Sequence, residues 1–153
     1  MVNTISFPQA DDFSKIVSLL NISNEDYLNY NTKLKIVLNN ISDRQIAYYI
    51  SAARFLGIIE IRDGRKVFSE EAIKIREMNS IMQVAELMSI ILRKPVFSKV
   101  YVYTQLFGRQ DIDEIRSIIE EFYPNYSDAI CKRRAQTVMS WIEWIIHQLN
   151  KGE

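Results

Sequence analysis

Arg44, Tyr48 and Ser51 follow one another at steps of four and three residues, the spacing that stacks side chains along one face of a helix. Arginine and serine can hydrogen-bond base edges, and a tyrosine hydroxyl can reach a phosphate. Gln45 opens the same segment with a further amide. A second cluster, Arg62, Arg65 and Lys66, surrounds the dipeptide Asp63-Gly64, where cations on a tight turn could replace the counterions condensed on a phosphate backbone. Charges of this kind also protect an exposed hairpin edge. A third cluster, Lys132, Arg133 and Gln136, with Ser140 on the same face, begins the last apolar-periodic segment. Glu120 and Glu121 precede it and could compensate its charge.

Other chemistry is poorly provided for. Glu70 and Glu71 followed by Lys74 could serve a nuclease, but acids are favoured at a helix start in any case and no second acidic motif accompanies them. His147 is the sole histidine and reads as a packing or surface residue. Cys131 falls on an apolar stripe beside Ala135 and Val138 and reads as an inert core thiol. No glycine-rich phosphate loop is present. The expectation is therefore a protein that is not an enzyme and needs neither metal nor cofactor.

The composition agrees with a globular chain. Of its 153 residues 48% are hydrophobic and 25% charged, with a formal net charge of zero. Zero net charge argues against a non-specific basic coat protein, yet a local patch suffices for nucleic-acid binding. One cysteine rules out an internal disulfide and a cysteine-cluster zinc site. No apolar run approaches the ~20 residues of a membrane span, and the N-terminus lacks the pattern of a secretory signal. A cytoplasmic protein with no membrane association is expected.

Few glycines and prolines imply long elements. Phe13, Ile16, Val17 and Leu20 predict a helix over 8–20 with Asp11 and Asp12 in its opening turns, and 21–31 reads as a loop. Leu34, Val37, Leu38 and Ile41 suggest a short helix from about Thr32. Ser42 with Gln45 three residues on forms a capping box for a third helix, whose buried stripe is Ile46, Tyr49, Ile50, Ala53 and Leu56. Phe55 lies opposite that stripe and is expected to pack on a neighbouring element. Gly57 stops this helix; Ile58 to Ile61 and Lys66 to Phe68 form strands around the Asp63-Gly64 turn. Ser69 caps a helix running towards Met78. Four further helices follow: 80–92, one opened by Pro95 and ended by Gly108, 111–122, and a long one from Ser127-Asp128 to about Leu149. In the last of these, Trp141 maps to the core. Trp144, with Ile145 and Ile146, makes the helix apolar over most of its circumference.

Helix, glycine, strand and basic hairpin in this order are the ending of a winged helix-turn-helix unit. An offset of 85 residues aligns Ser42-Asp43 with Ser127-Asp128, Ile46 with Cys131, Ile50 with Ala135, Ala53 with Val138 and Leu56 with Trp141. The fold class expected is mainly α with minor β: a winged unit over 6–78 and a wingless, winged-helix-like unit over 79–150.

The segments Phe7-Pro8-Gln9-Ala10-Asp11-Asp12-Phe13, Tyr48-Tyr49 through Leu56-Gly57, and Lys132-Arg133-Arg134-Ala135-Gln136-Thr137-Val138-Met139-Ser140-Trp141-Ile142-Glu143-Trp144-Ile145 resemble a poorly characterised bacterial tandem winged-helix family, found alone or attached to proteins of restriction–modification systems. The resemblance covers about Ser6 to Ile145. It implies a stand-alone DNA-binding or accessory component whose partners are double-stranded DNA and a separate nuclease or methyltransferase subunit. The expectation is a non-catalytic module of restriction–modification or transcriptional control that reads duplex DNA with helix 42–56 and hairpin 58–68, and that forms a homodimer through its last helix. The rival is a protein-interaction module on the same scaffold, without DNA affinity.

Overall fold

The computed structural model describes residues 6–151. They form eight α-helices, one 3-10 helix and one two-stranded antiparallel sheet: α1 (Phe13–Leu20), η1 (Glu25–Asn29), α2 (Asn31–Val37), α3 (Asp43–Phe55), β1 (Ile59–Arg62), β2 (Arg65–Phe68), α4 (Glu70–Arg76), α5 (Ser80–Leu92), α6 (Pro95–Phe107), α7 (Ile112–Phe122) and α8 (Asp128–Asn150). The chain divides into two compact units, one ending at Gln83 and the other beginning at Val84. The boundary lies inside α5, past the expected break between 78 and 79.

In the first unit α3 is the central element, in contact with α1, α2 and β1. Its start is the expected capping box: the Gln45 N–H donates to Ser42 Oγ at 3.2 Å, and the Ser42 N–H donates to Gln45 Oε1 at 3.1 Å. Its end is a Schellman turn, in which the Ile58 N–H reaches the Ala53 carbonyl at 2.9 Å and the Gly57 N–H that of Arg54 at 3.0 Å. Gly57 holds φ +76°, a conformation that a side chain would oppose. The buried face carries Ile46, Tyr49, Ile50, Ala53 and Leu56, as the periodicity predicts. Tyr49 also accepts, through its hydroxyl, the Asp12 N–H at 2.9 Å, tying the start of α1 to α3.

Three local expectations need correction. Helix α1 begins at Phe13 and not at Pro8, because Asp12 is its N-cap and accepts the Ser14 N–H at 3.0 Å; Asp11 lies outside. Partial burial disfavours ionised Asp12, but hydrogen bonds from Ser14 and Lys15 outweigh it and hold the carboxyl below its ordinary value. Helix α2 stops at Val37 without reaching Ile41. Asn39 and Asn40 take φ +61° and +58°, and the Asn40 N–H closes on the Lys35 carbonyl at 2.7 Å. Residues 21–31 are more than a loop, since η1 forms within them.

That 3-10 turn has a definite task. Arg62 and Arg65 face each other next to the turn, and Ile61 faces Lys66. In such a ladder the Lys66 main-chain groups point away from β1. Asn29 receives them: its Oδ1 accepts the Lys66 N–H at 2.9 Å and its Nδ2 donates to the Lys66 carbonyl at 3.0 Å. The turn itself has positive φ at both Asp63 (+52°) and Gly64 (+75°), as a type I′ hairpin requires. Ser69 closes the base, accepting the Ala72 N–H at 3.1 Å and donating to the Gly57 carbonyl at 2.6 Å.

The second unit packs α6, α7 and α8 together. Pro95 is at the start of α6 and Gly108 at its end, φ +89°. On α8, Cys131, Ala135, Val138 and Trp141 are fully buried, and Trp141 stacks on Phe97 with ring centroids 5.1 Å apart. Helix α2 ends at Val37 and α7 at Phe122, while α3 begins at Asp43 and α8 at Asp128, so the 85-residue offset aligns both boundaries. Ser42 and Ser127 share one conformation, φ −68°, ψ 162° against φ −67°, ψ 162°, and each accepts the N–H three residues on. The repeated stripe is thus a repeated helix–loop–helix, buried at equivalent positions.

Candidate nucleic-acid interface

The exposed side of α3 carries an internally bonded pair. Arg44 Nε donates to the Tyr48 hydroxyl at 2.8 Å, and the guanidinium lies 5.6 Å from the ring centroid. Gln45 has its carbonyl oxygen engaged by Ser42, which leaves its amide nitrogen as the donor. Phe55 packs edge-on against Phe7, centroids 5.5 Å apart, so it is held by a neighbouring segment as expected.

Ser51 lies on the flank of α3, where a concavity of 230 Å³ is bounded by the start of α2, α3 itself and β2. Ser51, Arg54 and Lys66 line it together with Asn31 and Asp43. Arg54 and Asn31 were absent from the residues singled out by sequence. Arg54 falls between the buried stripe and Ser51 on the helical wheel, a position that only the approach of the hairpin makes relevant.

Arg62 and Arg65 of the hairpin are partnered. Arg62 bonds to Glu60 on its own strand, and Arg65 Nη2 sits 3.3 Å from Asp26 Oδ1 in η1. Nearby, Lys35 reaches Asp43 at 3.3 Å. All are solvent-exposed pairs of the kind worth about 0–1 kcal/mol, weak enough to be exchanged for another anion. Lys66 lines the groove and is fixed through its main chain by Asn29.

Lys132, Arg133 and Gln136 belong to the second unit. Arg133 Nη1 lies 3.4 Å from both Gln136 Oε1 and Thr137 Oγ1, and Lys132 is exposed. The preceding acids reach other cations: Glu120 lies 3.5 Å from Arg116, and Glu121 lies 2.6 Å from Lys99. Arg134 sits over Tyr126 at 5.2 Å, on the packed side. Burial pushes the Cys131 thiol up, away from the reactive thiolate. Glu70 and Glu71 occupy the first turn of α4 behind the Ser69 cap. Among the described residues no three His, Cys, Asp or Glu side chains converge as a metal ion would need, and no helix is long and apolar enough to cross a membrane.

A helix–loop–helix followed by a two-stranded hairpin, with arginine, lysine, serine and asparagine around one groove, defines a small mainly helical chain with a polar, cation-bearing surface. The chain belongs to the family described as Domain of unknown function (DUF7226), whose model matches residues 15–150. No curated protein and no solved structure matches it.

Proposed function

We propose that this chain is a non-catalytic module that holds duplex DNA, built as a winged helix-turn-helix in which α2 and α3 are the helix pair and β1–β2 the wing. The observation that carries this reading is the shared groove: Lys66 of the hairpin lines it with Ser51 and Arg54 of α3, so helix and hairpin offer donors on one surface. Arg44 with Tyr48 and the amide of Gln45 extend that surface along α3, and Arg62 with Arg65 extend it along the hairpin. In the second unit the repeated helix–loop–helix gives Lys132, Arg133 and Gln136 a similar station at the start of α8. The resemblance to the tandem winged-helix family supports a role for such a module in restriction–modification or transcriptional control, beside a separate nuclease or methyltransferase.

Fluorescence anisotropy with a labelled mixed-sequence duplex tests this. Binding should weaken linearly in log salt, and Arg54→Ala with Lys66→Ala should abolish most of it. No binding at micromolar protein and low salt overturns it.

One observation favours the rival, a protein-interaction module. Helix α6 exposes Val102, Leu106 and Phe107, the last 73% accessible. The tryptophan-bearing α8 is a weaker candidate for such a contact, or for a homodimer, because Trp141 and Ile145 are buried and Trp144 is half-buried.

A further inference from the structure

The second unit contains a cavity of 420 Å³, within the range of small-molecule sites. Its floor is apolar: Val100 from α6, Ile115 from α7, and Met139, Ile142 and Ile146 from α8. Its rim carries an ion pair, Arg109 Nη2 to Glu143 Oε1 at 2.7 Å, with Arg109 braced against Met139 Sδ at 3.7 Å. These two charges cancel. An anion entering here would meet Glu143, and a cation would meet Arg109.

Gln110 also lines the cavity and is one of few polar side chains that are more than nine-tenths buried. Its Nε2 donates to the Gly108 carbonyl at 3.0 Å, which fixes the orientation of the amide. No hydrogen bond to its Oε1 is seen among the described residues, and that atom is not wholly buried, so it stays open to a donor from outside. An open acceptor beside an apolar floor favours a molecule that brings a donor to it.

We propose that this cavity binds a small, uncharged, largely apolar molecule carrying one N–H or O–H donor, its apolar body on the Ile115–Ile142 floor and its donor on Gln110 Oε1. The paired rim charges disfavour carboxylates and amines, and Gln110 Oε1 supplies the acceptor for the donor, with Thr104, His147 and Asn150 as the other polar side chains of the lining. Nothing in this depends on DNA binding by the first unit.

Titration of the isotope-labelled full chain with indole, 1-methylindole and benzoate, followed by two-dimensional NMR, is the test. Indole should shift the Gln110 side-chain amide and the Ile142 and Ile146 resonances saturably, in the millimolar range. 1-Methylindole, which lacks the donor, should bind about tenfold more weakly. Gln110→Leu should remove that preference while retaining indole binding, and Met139→Trp should fill the cavity and abolish the shifts. Should Met139→Trp not fold, Ile146→Trp fills the same space. Absence of saturable shifts at these residues, equal affinity for the two indoles in the native chain, or benzoate binding more tightly than indole would each overturn the assignment.

Discussion

Arg65 Nη2 stands 3.3 Å from Asp26 Oδ1, which joins the hairpin to the 3-10 turn beneath it through a surface ion pair. The same turn grips the next residue, Lys66, by its main chain through Asn29. An arginine already neutralised by an acid contributes less to an anion than a free one. Asp26→Asn is therefore expected to strengthen duplex binding, and Arg65→Ala to weaken it. Loss of one phosphate contact should make the slope of log affinity against log salt shallower by about 0.9. Anisotropy titrations between about 50 and 200 mM salt measure both effects. A weaker Asp26→Asn variant would mean that the acid serves to aim the arginine.

The two serine caps give a matched comparison. Ser42 and Ser127 have the same conformation and accept equivalent N–H groups, so Ser→Ala at either position should cost about 1 kcal/mol in urea unfolding. Gln45→Ala should add a further loss, because Gln45 returns a bond to the Ser42 N–H. Ile130, at the equivalent position of α8, has no such group to lose.

Those caps also show why some elements were legible in the sequence and others were not. The bounds of α3 and the hairpin followed from Ser42, Gln45, Gly57 and Asp63-Gly64, whose conformational demands are local. The end of α2 is equally local but less legible, since Asn39 and Asn40 accept left-handed φ less conspicuously than glycine. Helix η1 could not be read in the same way: Glu25–Asn29 has no apolar period, and Asn29 bonds to a strand 37 residues away. The site followed the same division. The cations were visible by type, but their acid partners Asp26 and Glu60, and the place of Arg54 beside Lys66, are products of tertiary packing. The cavity lined by Gln110 is not legible in the sequence for the same reason, since it is assembled from three helices and the turn at 109–110.

Trp141 and Phe97 are both fully buried and stack at 5.1 Å with their planes 22° apart. Either residue replaced by alanine should cost about 3–5 kcal/mol. Because each variant already removes the stacking contact, the double variant should lose less than the sum. Chemical denaturation of the four proteins closes the cycle, and strict additivity would show that the stack adds nothing beyond burial.

Asp12 gives the chain a pH dependence whose sign can be worked out. Its carboxylate caps α1, accepting the Ser14 N–H and bonding Lys15 at 3.2 Å, and these bonds outweigh the desolvation that opposes them. The folded carboxyl therefore titrates below its ordinary value of 3.8. A depressed folded value means that the unfolded chain takes up the proton first as pH falls. The contribution of ionised Asp12 is then complete above 3.8 and disappears as pH drops through the lower folded value. Asp12→Asn keeps a cap acceptor but not the charge, so it separates the two effects. It should be less stable than the native chain at neutral pH, and the gap should close in acid below the ordinary carboxylate range. Thermal unfolding of the two proteins from neutral to acid pH checks this, and a gap that stays constant across the range would show that the cap works through its geometry alone.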